Sequence, residues 1–364
     1  MIHESASRRV YGSVDSSALS HNFALARKCA PNSRIMSVVK TNAYGHGLIP
    51  VAKLLDDSTD AFAVATLEEA ASLRLSKIRS PICVLSGFFS PDDCKTLRDY
   101  DISAVIHCMD QINLLKRSAN SKPVSVWLKV NTGMNRLGFP PQSLTSVLDK
   151  LSNLNTVDIA GIMSHFACAD DVNSNYTARQ FEQFLRATEN IPLPLSIANS
   201  AGILKWPESH LDWIRPGIML YGVSPIEGES ANQLGLRPAL NLYSRLIAVN
   251  SVCKGEKVGY GLNWTAPVNT RVGIIACGYG DGYMRSASGR TQVLIDERPA
   301  DIVGTISMDS MAVDLTRHPQ AKAGDRVKLF GKGMPVEQIA AATNTIPYEF
   351  LCSFNPRTAA IEFF

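Results

Sequence analysis

The feature that most constrains the fold is a regular alternation of short apolar runs with helix-like segments between about residues 35 and 215. Eight runs recur in this region: "RIMSVVK", "AFAVAT", "ICVLSG", "ISAVIH", "VSVWLKV", "DIAGIMSH", "PLSIANS" and "DWIRPG". Amphipathic stretches such as "TLEEAASLRLSKI" separate them. Apolar strands separated by helices indicate a parallel sheet covered on both faces. Eight such units predict a (β/α)8 barrel of the TIM type. A doubly wound sheet is the alternative, but the region contains no GxGxxG fingerprint.

After about residue 238, the alternation of strand-like and helix-like segments gives way to mostly strand-like runs. The runs "NLYSRLIAVNSV", "TRVGIIACGYG", "TQVLIDERPADIVG", "MAVDL" and "DRVKLFG" are joined by Gly, Asp and Asn turns, and "MPVEQIAAAT" is the one helix-like segment. This pattern predicts a second, mostly β domain. We therefore divide the chain into an α/β barrel domain, residues 1–238, and a C-terminal β-strand domain, residues 239–364.

Composition excludes several classes of protein. The 364 residues carry a formal net charge of only +3, without the basic stripe of a nucleic-acid-binding protein. The eight cysteines are scattered with no CxxC pair, which indicates neither a disulfide framework nor a metal site. No stretch approaches the roughly 18 apolar residues of a membrane span, and the first residues lack the apolar segment of a secretory signal. These observations predict a soluble cytoplasmic protein.

Ionisable and hydrogen-bonding side chains end successive predicted strands. These side chains are Lys40, Lys129, His165, Asn199, Ser200 and Arg215. The carboxyl ends of barrel strands meet at the face where such barrels place their active sites. Any one of these residues is compatible with a solvated surface charge or a satisfied polar group. The regular position of all of them predicts a functional site, with Lys40 as the last residue of the first barrel strand.

The chemistry of this set indicates a cofactor. A lysine in a site of low dielectric loses its proton more easily and becomes a nucleophile for carbonyls. Ser200 with the backbone of Gly202, and separately the backbone of Gly217 and Ile218, are suited to bind a phosphate through N–H groups. The alternative for "ANSAG" is a plain helix start, because Asn and Ser are common caps. Together, a nucleophilic lysine and a phosphate site indicate pyridoxal 5'-phosphate (PLP).

The motif "VVKTNAYGHG" resembles the PLP-lysine motif of the alanine racemases, which are fold-type III PLP enzymes. The resemblance continues, in the family's order and over both domains, through "LKVNTGMNRLGF", "MSHFACAD", "ANSAG", "IRPGIMLYG", "VGYG", "GYGDGY", "GTISMD" and "TIPYE". The lysine motif alone is moderately specific. The whole ordered series is far more specific and implies an enzyme that interconverts L- and D-alanine, and that supplies D-alanine for peptidoglycan.

The resemblance implies a role for each matching residue. Lys40 forms the Schiff base with PLP. The residues implied to bind the rest of the cofactor are Tyr44, Arg136, His165, Asn199, Ser200, Arg215, Gly217, Ile218 and Tyr348. Arg215 faces the pyridine nitrogen, and Lys129, which is often carbamylated in the family, positions Arg136. Tyr260 is the second catalytic base, while Arg136, Tyr279, Met308 and Asp309 contact the substrate. Because the β-domain residues act on the neighbouring subunit's cofactor, the resemblance also implies a homodimer with shared active sites.

The chain departs from the family pattern at three places. Asn131 stands where aspartate is frequent, Ser307 where cysteine is frequent, and "SFNPRTAA" differs from the usual ending.

Three other functions stay open from sequence alone. They are a related racemase for serine or a broad range of amino acids, a fold-type III decarboxylase and a PLP-binding barrel protein without turnover. Arg215 in "IRPG" argues against the decarboxylase, and the β domain argues against the barrel protein.

Overall fold

A computed structural model describes residues 10–117, 122–354 and 359–364. Residues 355–358 of the "SFNPRTAA" segment lie outside the described residues. The first strand, β1 (Val10–Val14), precedes the barrel and does not belong to it.

Eight parallel strands close into a barrel, and the predicted fold is confirmed. The strands are β2 (Arg34–Val38), β3 (Ala61–Val64), β4 (Ile82–Val84), β5 (Ser103–Ile106), β6 (Val124–Lys129), β7 (Val157–Met163), β8 (Leu195–Ser196) and β9 (Trp213–Ile214). The barrel closes where Arg34 of β2 lies opposite Trp213 of β9. All four residues of β3 are buried, which explains why the barrel strands read as unbroken apolar runs.

Helices connect the barrel strands and cover their outer faces. They are α1 (Ser16–Cys29), α2 (Lys40–Tyr44), α3 (Leu48–Leu55), α4 (Leu67–Leu75), α5 (Pro91–Asp99), α6 (Met109–Arg117), α7 (Leu144–Ser152), α8 (Tyr176–Thr188) and α9 (Ser200–Lys205). Short 3-10 turns lie at Pro141–Ser143, Pro207–Ser209 and Ile218–Tyr221. The stretch "TLEEAASLRLSKI", which was predicted to be helical, contains α4, and that prediction is confirmed. Two of the helices, α4 and α5, begin with complete capping boxes that satisfy the free amides of their first turns.

The C-terminal domain is mostly β, as predicted. Its elements are β10 (Leu240–Val252), β11 (Lys257–Val258), β12 (Trp264–Thr265), β13 (Thr270–Ile275), β14 (Gln292–Ile295), β15 (Arg298–Val303), β16 (Met311–Asp314), β17 (Arg326–Phe330), α10 (Val336–Ala342), α11 (Pro347–Ser353) and β18 (Ala359–Phe363). Further 3-10 turns lie at Tyr260–Leu262, Tyr279–Asp281 and Arg285–Ala287. The large sheet has the strand order β13-β16-β15-β14-β17-β10-β1-β18, and β11 pairs with β12 apart from it.

Two features of this domain differ from the sequence expectation. Strand β1 comes from the start of the chain but joins the C-terminal sheet, where Tyr11 lies opposite Tyr243 and the two rings stack at 5.4 Å. The prediction of a single helix was wrong, because α11 follows α10. This helix has seven residues and begins with Pro347. Proline is favoured at the first helical position, so the segment carried a helix-start signal that the prediction did not use.

The side chains inside the two domains fit the compositional analysis. None of the eight cysteines, all of which lie in the described ranges, forms a disulfide, and Cys83, Cys94 and Cys277 are buried. Within the three described ranges, none of the helices combines the length and the apolar character needed to cross a bilayer.

Candidate active site

Lys40 lies on an unusual turn at the carboxyl end of the barrel. The prediction that it closes the first strand was wrong by two residues, because β2 ends at Val38. Thr41, Asn42, Ala43 and Tyr44 then all have positive φ angles, between 52° and 55°. A left-handed conformation costs about 1–2 kcal/mol for each such residue. We call α2 the Lys40 turn, and its strained backbone must be held by contacts with the rest of the protein.

The Lys40 amine lies in an environment that disfavours its charge. Burial lowers its pKa below the ordinary value for lysine, and the neighbouring Arg136 guanidinium lowers it further. Glu69 and the Cys352 thiol act in the opposite direction. The neutral, nucleophilic form of this amine is therefore more accessible than that of a solvated lysine.

Lys129 is a second perturbed lysine at the same end of the barrel. It is buried at the end of β6. Burial, followed by the charges of Arg215 and Arg136, lowers its pKa to about 7. None of the groups that shift this pKa is a carboxylate. Lys129, Arg136 and His165 line one small recess together with Asn131 and Ser164.

Arg215, which is buried, pairs with the partly buried His165 beside this recess. The Arg215 guanidinium donates to Ser196 Oγ, to the Ser164 carbonyl oxygen at 2.6 Å and to His165 Nδ1 at 3.2 Å. Burial lowers the pKa of Arg215 to about 10, so it stays charged at neutral pH. Burial and the charge of Arg215 lower the pKa of His165 well below its ordinary value. His165 is therefore neutral, and its ring proton lies on Nε2 because Nδ1 accepts from arginine.

Hydrogen-bond donors converge where β8 and β9 end, but the N–H groups of Gly202 and Gly217, which were predicted to bind phosphate, already donate within the chain. Ser200 Oγ accepts from the N–H of Gly217 at 2.9 Å and from the N–H of Met219 at 3.3 Å. Asn199 Oδ1 accepts from the N–H of Gly202 at 2.9 Å and so caps α9, as the simpler reading of "ANSAG" predicted. Ile218, which is buried, begins a 3-10 turn. Its N–H belongs to the first turn, where amides have no partner within the helix.

Two tyrosines from different domains border this group of donors. Tyr44 ends the Lys40 turn, and its ring centroid lies 6.0 Å from that of Tyr348 on α11 of the same chain. Burial raises the pKa of Tyr44 above its ordinary value and that of Tyr348 to about 12. Both hydroxyls therefore stay protonated at neutral pH and can donate hydrogen bonds. A β-carbon added at Gly217 would lie 2.8 Å from the Tyr44 hydroxyl oxygen, so only glycine leaves that hydroxyl its place.

Tyr221 is a supporting residue that sequence analysis missed. Its ring stacks on that of Tyr44 with centroids 4.8 Å apart, and its hydroxyl donates to the Val38 carbonyl oxygen at 3.0 Å. It therefore anchors both the strand that precedes Lys40 and the tyrosine that follows. On its other side, the His46 ring lies 4.5 Å away, and His46 Nδ1 is 2.9 Å from the Tyr44 carbonyl oxygen. The motif "IRPGIMLYG" contained Tyr221, but nothing in its spacing indicated this contact.

Four other β-domain residues of the predicted site, unlike Tyr348, lie on an exposed surface of the chain. Tyr260 is 70% exposed, Met308 55% and Tyr279 43%. The N–H of Tyr279 donates to the Ser307 carbonyl oxygen at 3.1 Å, which joins two of these segments. Asp309 is also exposed. Within the described part of a single chain, Tyr260 and Tyr279 form no hydrogen bond or ring contact with Lys40, Arg215 or His165.

The barrel residues suit a phosphorylated aldehyde such as PLP. A lysine amine with a lowered pKa can attack the aldehyde carbon. Tyr44, Tyr348, Ser200 and the amide of Ile218 offer neutral donors of the kind that bind phosphate. Gly217 also suits a phosphate site, because its lack of a side chain leaves the Tyr44 hydroxyl in place as a donor.

The chain is similar to known proteins over both of its domains. The model of the alanine racemase N-terminal domain matches residues 14–225, and that of the alanine racemase C-terminal domain matches residues 239–361. A protein named alanine racemase from Shewanella amazonensis is 45% identical over 352 residues, which cover 95% of this chain and 97% of that protein. A second from Shewanella oneidensis is 46% identical over 347 residues, with the same coverage.

Solved structures show the same two-domain architecture. The biosynthetic alanine racemase of Pseudomonas aeruginosa superposes with a TM-score of 0.94 at 41% identity, covering 98% of this chain and 99% of that one. The alanine racemase of Acinetobacter baumannii superposes with a TM-score of 0.91 at 36% identity, covering 98% and 100%. The two family models together cover both domains, and each of these relatives matches the chain over both domains. The chain therefore belongs to the alanine racemase family, and with it to the amino-acid racemases.

Proposed function

We propose that this protein interconverts L- and D-alanine, with PLP as its cofactor, and supplies D-alanine for peptidoglycan. One observation carries the proposal. The Lys40 amine, with a lowered pKa beside Arg136, shares the end of the barrel with the hydrogen-bonded pair of buried Arg215 and neutral His165. Relatives named alanine racemase at 45–46% identity support alanine as the substrate.

The residues that would hold the cofactor come mainly from the barrel. They are Lys40, Tyr44, Arg136, His165, Asn199, Ser200, Arg215, Gly217, Ile218 and Tyr348. When bound, PLP supplies an electron sink that acidifies the Cα–H bond of an amino acid. Arg215 is donor-only and charged, so a pyridine nitrogen facing it would stay unprotonated. The Asn199 side-chain oxygen already caps α9 and accepts from Gly202, which leaves its amide N–H groups for a ligand.

Racemisation requires a proton to leave one face of Cα and another to arrive on the opposite face. We assign these two roles to Lys40 and Tyr260. The lowered pKa of Lys40 makes its neutral amine available as a proton acceptor. A tyrosine accepts a proton only as its phenolate, so Tyr260 needs a neighbouring donor that stabilises the phenolate to act as a base. His165 is suited to this, because Arg215 occupies its Nδ1 and leaves the Nε2–H to donate.

A homodimer would complete the site. Tyr260, Tyr279, Met308 and Asp309 lie on an exposed surface of the β domain. A second copy of the chain would bring this surface to the Lys40 end of its partner's barrel, where Arg136 and these four residues would contact the substrate. A C2 dimer places the same surfaces in both sites. The eight cysteines, none of which forms a disulfide in the described residues, support a reducing compartment, such as the cytoplasm.

Lys129 is the residue that we propose to be carbamylated. Its neutral amine would attack CO2, form an N–C bond and release one proton, which leaves a carbamate anion beside Arg136 and Arg215. Because the pKa of Lys129 is lowered to about 7, the reactive neutral amine becomes more abundant as pH rises through 7. We expect isotope-labelled CO2 to be incorporated increasingly above that pH, measured by NMR of the carbamate carbon. A Lys129→Ala control should lack the signal; a wild-type protein without it at high pH would contradict the assignment.

The proposed activity is tested by incubating the purified, PLP-supplied protein with L-alanine in heavy water. We expect solvent deuterium to enter Cα while D-alanine accumulates, followed by NMR for exchange and by chiral chromatography for handedness. L-serine in a parallel incubation tests the alternative of a serine or broad-specificity racemase. Exchange without inversion would contradict the two-base assignment. A protein that binds PLP but exchanges neither amino acid would contradict the proposed function.

A further inference from the structure

Glu69 connects the Lys40 turn to the neighbouring barrel unit. Its Oε1 atom accepts from the N–H of Thr41 at 2.6 Å and from that of Asn42 at 3.4 Å. Its Oε2 atom accepts from the N–H of Ala65 at 2.9 Å and from that of Thr66 at 3.4 Å. One carboxylate therefore binds four backbone amides, two of which directly follow Lys40.

The capping box of α4 accounts for only half of these contacts. Thr66 is the N-cap residue, and Glu69 occupies the third helical position, so Oε2 completes the box. Helix α5 has an equivalent box in which Asp93 uses a single oxygen, Oδ2, for the amides of Phe89 and Ser90. An aspartate is thus long enough to cap a helix in this fold. The extra methylene of Glu69 carries its second oxygen across to the Lys40 turn.

The two amides that Glu69 binds lie where the backbone is strained. Thr41 and Asn42 are left-handed, with φ angles of 55° and 53°. On the other side of Lys40, the N–H of Val39 donates to the Ala63 carbonyl oxygen at 2.9 Å. The peptide groups on both sides of Lys40 are therefore tied to the β3–α4 unit. A hydrogen bond to a charged group is stronger than one to a neutral group, and it can offset backbone strain.

We infer that Glu69 is a positioning residue for Lys40. The Glu69 carboxylate holds the left-handed turn that directs the lysine amine into the site. This inference rests on the proposed role of Lys40 in binding PLP. Glu69 itself acts through the backbone of Thr41 and Asn42. Because both of its oxygens are engaged, a side chain with the same charge but shorter reach keeps the helix cap and loses the turn.

Glu69→Asp is the variant that separates these two functions. We expect its thermal unfolding to stay close to that of the wild type, because Asp93 shows that aspartate completes such a box. We expect hydrogen exchange of the Thr41 and Asn42 amides, measured by mass spectrometry on the full-length protein without cofactor, to accelerate at least about tenfold. PLP attachment to Lys40, trapped with borohydride, should slow by a similar factor.

Two controls test the alternative that Glu69 only caps helix α4 and has no separate effect on the Lys40 turn. Glu68→Gln removes an exposed charge from the same helical turn and should leave exchange and attachment unchanged. Thr66→Ala removes the other half of the capping box and should lower the unfolding temperature without accelerating exchange at Thr41. If Glu69→Asp does not fold, Glu69→Gln is measured instead, since its one carbonyl oxygen cannot serve both pairs of amides.

The outcomes separate this inference from the proposed function. Wild-type exchange rates at Thr41 and Asn42 in Glu69→Asp, together with normal PLP attachment, would overturn the positioning role. Equal acceleration in Thr66→Ala would assign the effect to helix capping and would also overturn it. If the wild-type protein attaches no PLP at Lys40, the proposed function fails, and the exchange result still decides whether Glu69 holds the turn.

Discussion

Replacement of Lys40 by alanine is expected to lower racemisation of alanine by about four orders of magnitude or more, because the change removes both cofactor attachment and one proton acceptor. Lys129 is the other lysine with a lowered pKa at this end of the barrel, but it is buried at the end of β6 rather than on the Lys40 turn. It cannot take over the function without a change of backbone. The measurement is racemisation of both enantiomers, with borohydride trapping followed by peptide mass spectrometry.

A matched control and a rescue experiment make this prediction specific. Lys205→Ala removes a lysine that forms an ion pair with Glu229 on the outer side of the barrel, and it should retain wild-type activity. Methylamine added to Lys40→Ala should restore part of the activity, because a free amine can supply the missing proton acceptor. Retention of more than a few per cent of activity in Lys40→Ala without added amine would contradict the role of Lys40. So would a borohydride adduct located on Lys129.

The sequence predicted the barrel because its signal is local. Most residues of the barrel strands are apolar and buried, so eight runs and their spacing were enough. The placement of β1 was not predictable in this way. Its five residues join a sheet made mostly from the C-terminal domain, and its partners β10 and β18 lie far away in the sequence.

The sequence predicted which residues gather at the site, but not the backbone conformation and contacts that position them. Lys40, Lys129, His165 and Arg215 were recognisable at strand ends, and the structure places them at one end of the barrel. The left-handed turn after Lys40 was missed, because the residues that hold it come from other segments. Glu69 belongs to α4 of the neighbouring barrel unit, and Tyr221 follows the last barrel strand. The low pKa of Lys129 likewise depends on Arg215 and Arg136, which only the fold brings near.

The β-domain half of the site is a different problem, because a single chain does not show it assembled. The Tyr260 side chain is 70% exposed in the described chain. Two arrangements are compatible with its proposed role. Either Tyr260 acts on its own chain's barrel after a rearrangement, or it acts on the barrel of a second copy. Only the second arrangement makes the catalytic pair depend on residues from both chains.

Mixing two inactive variants distinguishes these arrangements. Tyr260→Phe alone should lower racemisation about 10²- to 10⁴-fold, because one of two proton carriers is lost. It should still exchange the Cα hydrogen of one enantiomer with solvent through Lys40. Tyr243→Phe, a tyrosine of the same domain that stacks on Tyr11, is the matched control and should stay active.

When Tyr260→Phe and Lys40→Ala chains are dissociated, mixed in equal amounts and reassociated, we expect about a quarter of wild-type activity to return. Half of the dimers formed at random contain one chain of each kind. If Lys40 of one chain works with Tyr260 of the other, each mixed dimer has one site with both mutations and one intact site. If both residues belong to the same chain's site, no mixed dimer contains an intact site. Recovery on mixing therefore requires a shared active site, and its absence, with mixed dimers verified by native mass spectrometry, would contradict it.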